Sequence, residues 1–379
     1  MSLKGYTPEK LFNRLITKEN FLLLDVRNET EFGRFKVEGP YPFDMMNLPY
    51  IDFMEWEDES VKKVPNNKPI NIVCAKEGSA KYVGEILANH GFEHIEYLLG
   101  GIKTWGNMLT PVRINQDDDY ELYQFIRPGK ASCSYGLIQG KEMMVFDPAK
   151  NISFYQDFAQ KAGAAIIKTF ETHRQADYIS GTYGLHQESG AEIMVPEPDF
   201  EPAKFSYTPV KDGDIYTFSK TGPNIKVIHT PGHTPGSTSY LIDEKFLISG
   251  DAVFIHSIGR PDLGGQAEEW AKMLFNTVQN KILTWDDNMI ILPGHYMDWK
   301  EADDNLAFAA PIGKIKEINA EIYSIDNEDD FIAYIKENIR PQPEEYAKIR
   351  EINANLIDAD DETRDILDLG KNECAASTH

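Results

Sequence analysis

Four short apolar runs, each followed by a residue able to hold a metal, constrain this chain more than any other feature. "AAIIKTF", "IKVIHT", "KFLISG" and "NMIILPG" are rich in aliphatic and β-branched residues and have strand length. After them come His173, His233, Asp251 and His295. The C-terminal ends of strands lie along one edge of a sheet, so residues far apart in sequence can meet there. Singly, each has a plainer explanation. His229 and His233 flank "TPG" and fit turn residues, Asp251 in "SGDAV" fits a cap, and His295 in "LPGHY" fits a local hydrogen bond. The coincidence of all four favours a metal site.

A chain of 379 residues exceeds one ordinary core and predicts two domains. The polar stretch "LTPVRINQDDDYE" reads as a linker. The expected division is 1–112, a linker at 113–120, a second domain at 121–358 and an acidic tail at 359–379. The tail's "DADDETRDILDLG" reads as a solvated face or a frayed end. A net charge of −23 argues against nucleic acid or an anionic membrane as the main partner. No apolar run approaches the roughly 20 residues that span a bilayer, and "MSLKGYTPEKLFNRL" lacks the apolar segment of a secretory signal. Three cysteines cannot build a disulfide framework, so a reducing cytoplasm is the expected location. Homo-oligomerisation stays open.

In the first domain, "FLLLDVRNETEF" reads as a strand from Phe21 ending in Asp25 and Arg27. Ile70, Ile72 and Val73 form a second strand, followed by a tight loop with Gly78 and a helix carrying Val83, Ile86 and Leu87 on one face. Gly91 is placed to end that helix. Cys74 thus falls at the last residue of a strand, facing loop amides and a helix N-terminus. Both favour negative charge, which predicts a lowered thiol pKa and a nucleophile. An inert cysteine packed at a strand end is the open alternative.

Residues Tyr6 to Val112 resemble a rhodanese domain, through "LLLDVRNETEF", the Cys74 loop and "IEYLLGGIKTWGN". The resemblance implies that Cys74 carries sulfane sulfur as a persulfide and exchanges it with a donor or acceptor. Many rhodaneses hold an arginine in this loop, whereas here it reads Ala75, Lys76, Glu77, Gly78, Ser79. Lys76 is its only cation, opposed by Glu77. Lys76 and Ser79 are the candidate substrate-binding residues.

"ETHRQADYISG" has the register of a His-x-His-x-Asp-His run but supplies His173, Gln175, Asp177 and Tyr178. Together with "HTPGHTPGSTSYLI", "LISGDAVF" and "ILPGH", it resembles the metallo-β-lactamase fold over Tyr120 to Asn355. That implies an αββα sandwich behind the α/β rhodanese-like domain. Within the superfamily, "YQFIRPGKASCSYGLIQG", "GDAVFIHSIGRPDL" and "RPQPEEYAKIREINANL" resemble persulfide dioxygenases, relatives of glyoxalase II.

The resemblance assigns one iron per chain to His173, His233 and Asp251. Two histidines and a carboxylate suit non-haem Fe(II) and leave open positions for substrate and O₂. The same set serves catalytic zinc, so the metal stays open. Two-zinc hydrolases of this fold need the whole run. Here Gln175 and Tyr178 replace ligand histidines, and Asp177 with His295 alone makes a poor second site. Gln175 could orient a ligand or a bound water. Tyr178 either packs or hydrogen-bonds near the open positions.

The implied reaction is oxidation of a small thiol persulfide, such as glutathione persulfide, to sulfite and free thiol. Arg260 in "GRPDL" could grip the carrier's carboxylate with its planar fork, with an ion pair to Asp262 as the alternative. Joining the two domains would raise the effective concentration of the shared sulfur intermediate. The competing readings are a glyoxalase II-like thioester hydrolase and an inactive scaffold serving the rhodanese. Cys133 on a strand and Cys374 in a flexible tail carry no expected role.

Overall fold

The computed structural model describes residues 3–116, 119–220, 222–262, 266–338, 342–372 and 374. The chain forms two compact units. One holds the residues through Thr110 with Arg127–Lys130 and Leu369–Lys371, and the other holds the rest. Asp117 and Asp118 of the expected linker, and Glu373 and residues 375–379 of the expected tail, lie outside the described residues. So do Leu263 of "GRPDL" and Arg340 and Pro341 of "RPQPEEY".

The first unit is built on a five-stranded sheet in the order Lys4–Tyr6, Ile95–Leu98, Ile70–Val73, Leu22–Asp25, Asp44–Asn47. Every pairing is parallel. Leu22–Asp25 and Ile70–Val73 are buried at each position, as continuous apolar strands in a parallel sheet should be. The helix Gly78–Asn89 buries Val83, Ile86 and Leu87 against it. Gly91, at φ +84°, follows the end of that helix. The strand stops at Val73, so Cys74 is the first residue beyond it.

The second unit contains two sheets. The seven-stranded one runs Thr208–Val210, Glu192–Pro196, Ala165–Phe170, Glu142–Phe146, Ser132–Gln139, Glu121–Arg127, Thr110–Arg113. The six-stranded one runs Ile215–Tyr216, Ile225–His229, Thr238–Ile242, Phe246–Gly250, Ile290–Pro293, Ala310–Pro311. They pack face to face. Tyr240 of the second sheet meets Phe146 and Phe170 of the first at ring-centroid distances of 5.4 and 5.2 Å. Its hydroxyl donates to the Glu171 carbonyl at 2.7 Å.

Helices Ile152–Lys161 and Thr182–Ser189 pack on Ala165–Phe170, and Ile312–Ile318 packs at Ala310–Pro311. This is the expected αββα sandwich. The edge strand Thr110–Arg113 straddles the boundary expected at residue 112. The acidic tail, read as a solvated face or a frayed end, contains the helix Asp361–Leu367, none of whose residues is buried, capped by the Asp360 side chain on the Thr363 amide.

Candidate metal centre

The strand ends do converge. Phe246–Gly250 turns sharply into Asp251 at Gly250, where φ is +52° and a Cβ would lie 2.4 Å from Thr172 Oγ1. His173, His233 and Asp251 are all buried, and one donor atom from each lies within 4.8 Å of the others. His233 Nε2 is 3.4 Å and His173 Nε2 3.8 Å from Asp251 Oδ2. The two imidazoles stand edge to face at 89°.

Hydrogen bonds behind the rings fix their tautomers. The Thr172 hydroxyl donates to Asp147 Oδ2 at 2.9 Å, so it accepts from His173 Nδ1 at 2.9 Å. His233 Nδ1 donates to the Arg260 carbonyl at 2.9 Å. Each imidazole therefore turns an Nε2 lone pair toward Asp251. His173 Nε2 and Asp251 Oδ2 are buried and have no hydrogen-bond partner among the described residues. Such atoms are costly to bury unless something binds them, so this donor set fits a cation. Burial pushes His233 down to about 4, although Asp251 opposes it. Burial raises Asp251, but His295 first, then His173 and His233, hold it well below the usual carboxylate range. Neutral imidazole beside carboxylate is the ligand form of each.

His295 joins the centre from its other side. Its Nδ1 lies 2.9 Å from Asp251 Oδ1 and its Nε2 3.0 Å from Asp177 Oδ2. Burial lowers its pKa, but Asp251 and Asp177 outweigh this and push it up to about 10. Cys374 was expected in a flexible tail. It is instead buried, with its sulfur within 4.8 Å of donor atoms of Asp177 and His295. The Arg260 amide donates to its carbonyl at 3.0 Å.

Gln175 and Tyr178 both turn to Asp147. Gln175 Nε2 donates to Asp147 Oδ1 at 3.2 Å, and the Tyr178 hydroxyl donates to the Asp147 carbonyl at 3.2 Å. Asp147 also accepts from the Thr172 amide at 2.8 Å. The sequence reading missed this residue, although an acid follows "MMVF" just as one follows "KFLISG". Asn353, in the late segment singled out from sequence, donates to the carbonyls of Gln175 and Tyr178 at 2.9 Å and braces the loop.

Arg260 takes the alternative arrangement. Its Nε and Nη2 grip Asp262 at 2.7 Å each, and the side chain is buried. A fork filled by Asp262 leaves the carrier-carboxylate expectation without geometric support.

In the first unit, Cys74 is buried beside the amides of Ala80, Lys76 and Ser79. Burial raises its pKa, and those amides offset only part of the rise, so the net direction is upward. The expectation of a lowered pKa omitted that burial. What faces the sulfur from Lys76 and Ser79 is their backbone; Lys76 is exposed and Ser79 half-buried. Glu77 caps the Gly100 amide at 2.8 Å and pairs with Lys81 at 2.5 Å. Gly101, at φ +69°, closes the cradle, and a Cβ there would lie 2.2 Å from the Lys76 carbonyl and 2.5 Å from that of Cys74.

Comparison with known proteins matches residues 7–108 to the rhodanese-like domain and residues 132–295 to the metallo-beta-lactamase superfamily. "Persulfide dioxygenase ETHE1, mitochondrial" of Mus musculus is 27% identical over 171 residues, 43% of this chain and 64% of that protein. A hydroxyacylglutathione hydrolase of Brucella anthropi is 31% identical over 171 residues, 43% of this chain and 60% of that protein. The chain thus spans less than two thirds of these relatives' length. The crystal structure of a metallo-beta-lactamase from Staphylococcus aureus subsp. aureus COL superposes with a TM-score of 0.55 at 29% identity, over 62% of this chain and 73% of that one. ETHE1 from Myxococcus xanthus, at TM-score 0.54 and 20% identity, covers 62% of this chain and 98% of that one and shares the fold.

Proposed function

We propose, from a chain in which a rhodanese-like domain at residues 7–108 precedes a metallo-beta-lactamase superfamily domain at 132–295, a sulfur-metabolism enzyme with two sites. The second domain oxidises a small thiol persulfide such as glutathione persulfide, consuming O₂ and water and releasing sulfite and free thiol. The first domain passes sulfane sulfur through Cys74 to or from that chemistry. Three thiols and no disulfide suit a reducing compartment such as the cytoplasm.

The carrying observation is the buried set of His173 Nε2, His233 Nε2 and Asp251 Oδ2, with Gln175 and Tyr178 turned away to Asp147. One Fe(II) held by these three donors would offer the open positions where persulfide and O₂ meet. The chain's own residues do the rest. Thr172 and the Arg260 carbonyl hold the two imidazoles in the ligand tautomer, and burial of all three donors keeps bulk water away.

For the carrier's carboxylate, Arg174 and Arg350 are better placed than Arg260. They line a cleft of about 450 Å³, shared with Trp270, Asp199 and Glu351. Arg174 Nε is buried and has no hydrogen-bond partner among the described residues. Burial first, then the charge of Arg174, depresses Arg350, while Asp199 and Glu351 of the same cleft oppose the shift.

The test is an oxygen-electrode assay of iron-loaded protein with glutathione persulfide, run beside a thioester-hydrolysis assay. Persulfide-dependent O₂ uptake is expected, with Arg174→Ala raising KM more than it lowers kcat. Thioester hydrolysis without O₂ uptake overturns the reading. It would instead favour a glyoxalase II-like hydrolase, for which the specific observation is the Asp177–His295–Cys374 cluster. Neither activity would favour the scaffold.

A further inference from the structure

The first unit exposes apolar surface beside its cysteine. Eleven large apolar side chains are exposed among the described residues, and Tyr50, Ile51, Met54 and Trp56 are four of them. Apolar residues scattered singly over a surface need no explanation. Four within seven residues do. The helix Tyr50–Glu55 sets Tyr50, Ile51 and Met54 within roughly 100° of one another around its axis. Phe53 anchors that helix in the same buried cluster as Cys74 and Ala80, while the other three face outward. Trp56, 60% exposed, follows directly at the helix end.

Backbone bonds place this surface at the sheet edge where Cys74 lies. The Val26 amide donates to the Val73 carbonyl at 2.8 Å, and the Tyr50 amide donates to the Val26 carbonyl at 2.9 Å. Tyr50 is therefore two strand spacings, roughly 10 Å, from the strand that delivers Cys74. Its helix also packs on Gly78–Asn89, the helix that follows the cysteine loop.

We infer that Tyr50, Ile51, Met54 and Trp56 form a docking surface for a basic protein that exchanges sulfane sulfur with Cys74. This rests on the sulfur-carrying reading of Cys74 above and adds a macromolecular partner to it. A small persulfide needs only the cradle, whereas aromatic and methionine side chains exposed together are what protein interfaces use. Charge selects the kind of partner. Asp52, Glu55, Glu57, Asp58 and Glu59 flank the apolar residues. Opposing them are His90, 3.5 Å from Asp58 and 3.8 Å from Glu57, and Lys62 and Lys63 in the last turn of Glu57–Lys63. A second copy would set acid against acid, in a chain whose net charge is −23. An anionic membrane or a nucleic acid meets the same repulsion. A protein whose apolar patch is ringed by lysine or arginine does not.

The exchange needs no outside oxidant or reductant. The partner's thiolate attacks the terminal sulfur of the Cys74 persulfide, the S–S bond breaks, and Cys74 leaves as a thiolate while the partner becomes the persulfide. The reverse step loads Cys74.

Three synthetic peptides, each with one cysteine, stand in for the partner. The first carries apolar residues flanked by lysines, the second the same apolar residues flanked by glutamates, and the third the lysines with serine at the apolar positions. Fluorescence anisotropy reads their binding to the full chain. Mass spectrometry reads the sulfur each accepts after Cys74 is loaded with glutathione persulfide, without O₂ so that the second domain consumes none. The first peptide should bind about tenfold more tightly than either of the others and accept sulfur correspondingly faster. Trp56→Ala and Ile51→Ser should each remove that advantage and leave transfer to glutathione unchanged. Glu55→Lys combined with Glu57→Lys should turn the preference to the second peptide, while Glu321→Lys in the second unit changes nothing. Equal binding of the three peptides to the wild type, or an advantage that survives Trp56→Ala, overturns the proposal. The wild-type comparison decides even if a variant misfolds. Selective binding with no sulfur passed to any acceptor, glutathione included, overturns the sulfur-carrying reading of Cys74 and not the docking surface.

Discussion

The cysteine cradle and the metal centre both lie where strands end, yet they are built from different materials. Around Cys74 the groups that face the sulfur are main-chain amides from one continuous strand–loop–helix segment, closed by Gly101. Around Asp251 the groups are side chains drawn from separate segments, each fixed by a partner behind it. A cradle of amides tolerates side-chain change and fails when the backbone moves. A cluster of side chains tolerates backbone drift and fails when one donor or its support is lost. The two regions should therefore respond to opposite kinds of substitution.

The largest effects should come from a crossed pair of variants. Cys74→Ser should abolish sulfur transfer and leave persulfide-dependent O₂ uptake largely intact, since Ser keeps the loop but not the nucleophile. His173→Ala should do the reverse, removing bound iron and O₂ uptake while transfer from a sulfane donor continues. Both activities measured on both proteins check this. Loss of both activities in either variant breaks the separation.

A smaller effect should follow from Asp147→Asn. Asp147 touches no donor atom directly. It acts through Thr172, whose hydroxyl holds His173 Nδ1, and it anchors Gln175 as well. Supports of this kind typically change metal affinity about ten- to a hundredfold. A metal-affinity titration showing that range would sharpen the contrast; an unchanged affinity would mean that Thr172 alone orients the ring.

Much of this arrangement was legible because each of His173, His233, Asp251 and His295 follows its strand closely, so topology alone brings them together. Three things were not. Cys374 comes from a segment without periodicity, and nothing local signals that it folds back to Asp177. Arg260 lies two residues from Asp262, a spacing equally compatible with an ion pair and with a substrate grip. The Cys74 pKa is a balance between burial and amides, and a pattern reports only the amides. Asp147 directly follows the strand Glu142–Phe146 and was readable from the same strand-end rule.

The smallest expected effect tests the cradle itself. Gly101 has φ +69° and ψ −159°, a region essentially reserved for glycine. A methyl group there meets the carbonyl oxygens of Lys76, Cys74 and Ala75 within 2.7 Å, and backbone oxygens cannot rotate away as a side chain could. Gly101→Ala should lower the stability of the first unit by about 1–3 kcal/mol and slow sulfur transfer, with metal content unchanged. Lys76→Ala, which keeps the amide, should slow transfer less. Denaturant unfolding beside a transfer assay reads both. If Lys76→Ala proves the more damaging, then a side-chain charge and not the backbone governs Cys74, and the two sites are built more alike than their geometry implies.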